Sequence, residues 1–218
     1  MNTTASLHLK SFKDYYLGTL FHPRQTFEAL LADSRRLKFG LLAITLNAIL
    51  YTLVYIFLWS AGGAPSSFTP WLAVPREVYY FYNQFWLAPS MLGCLILAAG
   101  VTQLLSRLFA GKGSFEDTLS VFGFGVTIAT LFALLHDLTD SFLGAVGLLD
   151  LRWYELALNS PTVWRTILMT LYSIALIMLF VLLTRGVIAA QRIKRGPAIF
   201  IGLVAFIVYQ GGFFIFNR

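Results

Sequence analysis

Three groups of residues carry side chains able to do chemistry, and each also has a plainer use. The first is the run Ala110-Gly-Lys-Gly-Ser-Phe-Glu-Asp-Thr118. A lysine among glycines suggests a phosphate loop. The Walker pattern needs Ser or Thr directly after Gly-Lys and a glycine five residues before that pair's glycine. Here Gly113 follows Lys112, and Ser106 stands where the first glycine belongs. The run reads instead as a turn and a helix start: Gly111 and Gly113 permit the turn, Ser114 is the N-cap, and Asp117 completes a capping-box arrangement. Glu116 and Asp117 complement the positive end of that helix dipole. The second group is His136, Asp137 and Asp140. His136 and Asp140 stand at i,i+4, a spacing that lets both reach one ion. Two ligands do not make a metal site, and His8 and His22 are expected on the other side of the membrane. Wet polar residues at an emerging helix end are the plainer account. The third is Cys94, which has no partner for an intrachain disulfide and sits in an apolar run, where it reads as a small packing residue. No nucleophile-elbow, zinc-protease or clustered intramembrane carboxylate pattern appears. No catalytic residue, metal site or cofactor is assigned, and no enzymatic role is expected.

The elements that position these residues are membrane helices. The 218 residues are 58% hydrophobic and 12% charged, with mean hydropathy +0.73. A soluble domain carries roughly 25% charged residues. Half that amount cannot wet a globule of this size, and the apolar residues come in long runs. Five spans of about 20 residues are expected near 40–60, 86–107, 117–136, 164–185 and 197–217. The third is the most polar, with Thr118, Ser120, Thr127 and Thr130; hydroxyls that bond back to their own helix are cheap in a membrane. Asn47 and Gln103 are the amides deepest in their spans, and they are expected to face other helices. No ionisable residue reads as clearly mid-membrane. Gly93, Gly100, Gly123, Gly125 and Gly202 are candidates for close helix approach, and self-association is compatible with them.

Ahead of the spans, residues 1–39 read as a cytoplasmic amphipathic segment, leaving 40–218 as the membrane domain. Residues 7–21 place Leu9, Phe12, Tyr16 and Leu20 on one helical stripe, which suits either the membrane interface or a berth under the protein's own end. His22-Pro23 breaks that helix and starts another with Phe27, Leu30 and Leu31 as its stripe and an Arg24–Glu28 pair. No cleavable signal is visible, so the first span is expected to act as an uncleaved one. Residues 61–85 and 137–163 form the two larger loops. The second holds the apolar stretch 142–151, too short to span and open to a re-entrant or interfacial reading.

Charge sets the expected orientation. Of the 16 Lys and Arg, twelve fall in 1–39, in the Arg107–Lys112 loop and in the Arg185–Arg195 loop; Arg76, Arg152, Arg165 and Arg218 lie on the other side. The positive-inside rule puts the N-terminus in the cytoplasm and the C-terminus outside. Trp59, Trp71, Trp86, Trp153 and Trp164 then all fall on the outer side, where tryptophan favours the headgroup layer. The net charge of +6 is spent on orientation and lipid headgroups, with no nucleic-acid motif to suggest another use.

Three stretches resemble the Yip family, the Ypt/Rab-interacting membrane proteins and their prokaryotic relatives. They are His22-Pro-Arg-Gln-Thr-Phe27, the glycine-rich loop running into the third span (Gly111-Lys-Gly-Ser-Phe-Glu-Asp-Thr-Leu-Ser-Val-Phe-Gly123), and the closing pair of spans joined by the basic turn 191–196. The likeness covers most of residues 20–218. Many relatives have a proline soon after the second stretch; here Val126, Thr127 and Ile128 occupy the area, which removes the usual reason to expect a helix kink there. The long cytosolic arm of eukaryotic members is also absent, so the resemblance is to a prokaryotic-type member in an inner or plasma membrane. It implies an all-α bundle of five membrane helices, N-terminus inside, and a membrane-organising or partner-binding role without Rab binding or catalytic residues. The sites it leaves to be expected are the basic loop residues Arg107, Lys112, Arg192, Lys194 and Arg195, facing a protein partner or anionic lipid. The competing expectation is a small-molecule permease or lipid translocator, suggested by the amides, the hydroxyl-rich span and the acidic outer loop.

Overall fold

The computed structural model describes residues 10–65 and 74–217. Its helices start where polar caps stand in the sequence. Ser11 caps α1 (Phe12–Phe21), accepting from the Asp14 N–H while the Asp14 carboxylate accepts from the Ser11 N–H, 2.8 Å away. That capping box sets the helix start at Phe12, later than the 7–21 stripe suggested; Leu9 lies outside the described residues. Pro23 opens α2 (Pro23–Ala32) at its first turn, as expected, and buries Phe27 and Leu30 completely. Ser114 caps α5 (Phe115–Ala129) with Asp117 in the expected reciprocal arrangement. Among the described residues there are nine helices and no strand.

Four continuous helices are long and apolar enough to cross a membrane: α3 (Arg36–Ser60), α4 (Arg76–Leu108), α8 (Val163–Gln191) and α9 (Arg195–Phe216). Two are longer than the apolar runs alone indicated. α4 starts directly after Pro75, so residues 76–85 of the expected loop are helical and bury Tyr79, Tyr80 and Asn83. At 33 residues it extends about 50 Å, well past a hydrocarbon core of about 30 Å. α8 continues six residues beyond Arg185. The short helix α7 (Leu151–Asn159) is capped by the Asp150 carboxylate, which accepts from the N–H groups of Arg152 and Trp153. The stretch 142–151 is no helix of its own: Phe142–Ala145 finish α6 (Leu131–Ala145), the chain turns through Gly147 at φ 77°, and Leu151 opens α7.

The third expected span is a bent pair of helices, the geometry of a broken span or of a re-entrant loop. α5 and α6 meet at Thr130 with a bend of 51°, and only together are they long and apolar enough to cross a membrane. The pair runs beside α3 for its whole length. Gly40 lies against Ser120 and Gly123, Asn47 reaches Thr130, and Phe57 stacks edge-on with Phe142 at 5.7 Å. No proline makes the bend. The Thr130 hydroxyl bonds back to the Val126 carbonyl at 3.0 Å and accepts from Asn47 Nδ2 at 3.2 Å, a side-chain insertion of the kind that bends helices.

α5 is the axis of the molecule. Thr118 through Ala129 are buried without a break, so this helix meets neighbours on every side and little lipid. That explains the polar composition: an encased helix need not match hydrocarbon, only its neighbours. Close approach is real at two of the five expected glycines. A Cβ on Gly123 would collide with the Gly40 carbonyl, and one on Gly202 with the Thr184 side chain. Gly125 makes ordinary contact with Leu182 at 3.6 Å, whereas Gly93 and Gly100 face open space and bring no helix closer. Cys94 is buried and unpaired beside Gly212.

The N-terminal helices clasp one end of this bundle. Phe12 packs on Phe39 and Phe124, and Tyr15 and Thr19 are buried, so α1 sits under the protein's own end with Leu17 and Phe21 left exposed. Asp33 locks the clasp: it accepts from Tyr15 Oη at 3.0 Å and takes Arg35 on both oxygens. Arg36 reaches Asp117 of α5 at 2.6 Å. Arg24–Glu28 forms as expected but lies on the surface, where such a pair contributes little. The chain's other terminus is tied at the opposite end, where Trp86 Nε1 donates to the Phe216 carbonyl and Asn217 Nδ2 to Ser90 Oγ.

Candidate functional site

The two ends of the bundle carry different chemistry. At the end that bears the N-terminal clasp, the glycine-rich loop is fastened to the close of α8. The Lys112 N–H donates to the Gln191 carbonyl at 3.0 Å. A Cβ on Gly113 would strike the Ala190 carbonyl, so only glycine lets the loop lie this close. Gln191 is fully buried; its Nε2 donates to Gln103 Oε1 at 2.8 Å and to Thr118 Oγ1 at 2.7 Å, while Gln103 Nε2 donates to the Gly113 carbonyl. Gln103 and Asn47 thus face other helices as their depth implied. α8 stops because Arg192 turns left-handed at φ 55°, and Ile193 tucks inward beyond it.

This junction fixes where the basic residues stand. Arg107, Lys112, Arg192, Lys194 and Arg195 are all exposed, and none forms an ion pair among the described residues. The acids at the same end are largely engaged elsewhere: Asp33 with Arg35, Asp117 with Arg36, Asp14 with its own helix cap. The Arg35 guanidinium holds the Asp33 carboxyl down at about 2, against an opposing push from burial. Burial, helped by the neighbouring carboxylate of Asp33, pushes the Tyr15 phenol up to about 12.

The opposite end holds a half-open cavity of about 90 Å³ between α3, α4, α6, α7 and α8. His136, Asp137 and Asp140 line it, and they are not wet residues on an emerging helix end. Their side chains are only 14%, 16% and 23% exposed. His136 Nδ1 lies 3.2 Å from Asp137 and its Nε2 3.2 Å from Asp140, so one imidazole serves two carboxylates. Tyr172 donates to Asp137 at 3.0 Å, Tyr154 to Asp140 and Tyr80 to Glu155. Burial and the Asp140 bond raise the Tyr154 phenol far above its ordinary value. Tyr51 and Tyr55 of α3 complete the polar wall. Among the described residues no group of three or more His, Cys, Asp or Glu has metal-holding geometry. Sequence reading found the histidine and its two aspartates but not the tyrosines or Glu155. The lining comes from five helices far apart in the chain, and the only local signal was the Tyr51/Tyr55 spacing.

The Yip1 domain family model matches residues 17–216, from within α1 to the last turn of α9. The chain belongs to the Yip1 family. No curated protein and no solved structure matches it. The Yip1 match encloses both the glycine-rich loop and the basic turn, the two segments that Lys112 and Gln191 join. It also encloses the cavity at the far end.

Proposed function

We propose that this Yip1-family membrane protein is a non-enzymatic scaffold that holds a protein partner or anionic lipid headgroups on its basic end. Arg107, Lys112, Arg192, Lys194 and Arg195 are the contact residues. The observation that carries the reading is the locked loop-to-helix junction, which presents these cations exposed and without acidic partners among the described residues. Each such charge gains about 1 kcal/mol beside an anionic surface, and a rigid platform adds them without first ordering a loop. In this reading the basic end lies in the cytoplasm and the protein sits in the inner or plasma membrane. Photoreactive residues at Lys112 and Lys194, both exposed, test it in intact cells; Ile193 is buried and unsuited. A protein or anionic-lipid adduct at both positions, lost on charge reversal of the five residues, is the expected result. Adduct recovery unchanged by charge reversal counts against the scaffold.

Permeation is a second reading. Asn47, Gln103 and the hydroxyls of α5 are spent on helix contacts, which weakens the sequence case for it. The ionisable residues inside the far cavity favour it instead. Flux of solutes or lipid in proteoliposomes above empty vesicles would support permeation over a scaffold.

A further inference from the structure

The far cavity combines features that no contact of the basic end explains. It is a half-open cleft, and Tyr172, the hydroxyl partner of Asp137, stands nine residues past the start of α8, about 14 Å along the helix. Ionisable groups at such depth are costly and mark sites. Asp137 and Asp140 share the single imidazole of His136, and a third carboxyl group, Glu155, lines the same cavity. Among the described residues no Lys or Arg lines the cavity. Five tyrosines, Tyr51, Tyr55, Tyr80, Tyr154 and Tyr172, make up much of the remaining wall. Carboxylates among aromatic rings in a partly desolvated space suit a cation with an organic body, because ring faces attract positive charge and their edges pack against carbon. The volume equals roughly three waters' share of liquid, room for an ammonium group and its first carbons. A bare metal ion fits poorly, since no group of metal-holding geometry forms among the described residues.

We infer that the cavity bounded by Asp137, Asp140, His136 and the five tyrosines is a binding site for a primary ammonium group, carried by a lipid headgroup or by a free amine. The rim favours access from the headgroup layer. α7 covers the cavity with Tyr154 and Glu155 turned in, while Trp153 and Leu156 on its other face and Trp164 beside it are exposed.

Thermal unfolding of the purified full-length protein tests the site, with ethanolamine against ethylene glycol and sodium chloride at matched concentration and ionic strength. Native mass spectrometry with phosphatidylethanolamine and phosphatidylglycerol separates the sources. Stabilisation by ethanolamine but not by glycol or sodium is expected. Adducts with phosphatidylethanolamine in excess of phosphatidylglycerol assign a lipid headgroup; protection by ethanolamine without lipid selectivity assigns a free amine. Asp140→Asn and Asp137→Asn should each weaken binding at least about tenfold, while Glu28→Gln, on the surface of the opposite end, should not. Equal protection by glycol, no protection by ethanolamine together with no lipid selectivity, or magnesium displacing ethanolamine at lower concentration each overturns the proposal. The comparison of ethanolamine with glycol uses the unaltered protein, so it decides the matter even where an aspartate variant does not fold.

Discussion

At the scale of single residues, two glycines do opposite work. Gly113 lies where a Cβ would strike the Ala190 carbonyl, whereas Gly100 in α4 has no neighbour within 4 Å of that position. Gly113→Ala must therefore lift the loop from α8, at a cost of about 1–3 kcal/mol. Gly100→Ala should be neutral or stabilising by up to about 1 kcal/mol, the helix-propensity gain. Unfolding in detergent with increasing denaturant ranks the two; equal midpoints would remove the loop's close contact as a cause. The clasp of Asp33, Tyr15 and Arg35 makes a second residue-scale prediction. The folded Asp33 carboxyl sits at about 2, below its unfolded value of about 4. Its contribution is full above about pH 4 and is lost as pH falls toward 2. The folded Tyr15 phenol sits at about 12, above an unfolded value of about 10, so its contribution is full below pH 10 and is lost as pH rises toward 12. Amide exchange in α1 should accordingly stay slow between about pH 4 and 10 once intrinsic rates are divided out. Asp33→Asn should speed it at neutral pH, by removing the acceptor that both Tyr15 and Arg35 use.

At the scale of elements, the bent α5–α6 pair is the piece the sequence described least well. Its position was legible, because Ser114 and Asp117 mark the start. Its burial was not: a run of threonine and glycine looks like a poor membrane helix until neighbours enclose it, and enclosure comes from helices distant in the chain. The bend was equally hidden, since the contact made at it, Asn47 with Thr130, spans 83 positions. The lengths of α4 and α8 were underestimated for the same reason. Tyr79, Tyr80 and Asn83 extend a helix beyond the hydrocarbon because other parts of the protein bury them. Removing either partner of the bend tests its physical cause. Asn47→Leu and Thr130→Val should each destabilise the bundle, with a coupling energy in the double variant of about 0.6–1.7 kcal/mol. Zero coupling in that cycle, measured by unfolding in detergent, would mean that the Asn47–Thr130 contact does not hold the break.

At the scale of the whole molecule, the charge count that suggested a basic face proved a sound guide to which residues stand exposed, because charges beside membrane helices have few places to hide. The cavity was illegible by the same token: its five tyrosines lie on four helices, and none is unusual alone. Orientation and recognition draw on the same cations, and the two roles separate by arithmetic. Twelve Lys and Arg lie on the expected cytoplasmic side and four on the other. Orientation follows this total excess, whereas a surface contact follows the exposed members at the loop junction. Replacing Arg107, Lys112, Arg192, Lys194 and Arg195 with glutamine removes five from twelve and leaves seven, still more than four. A phosphatase active only outside the cytoplasm, fused after Arg218, should therefore stay active in both the parent and the five-fold variant. Crosslinks from the basic end should fall together with its charge. The variant is also expected to fold, since none of the five side chains forms an ion pair among the described residues and the Lys112 main-chain bond to Gln191 survives the change. Loss of phosphatase activity in the parent would reverse the assigned orientation. Loss only in the variant would show that these five cations set orientation themselves, out of proportion to their number.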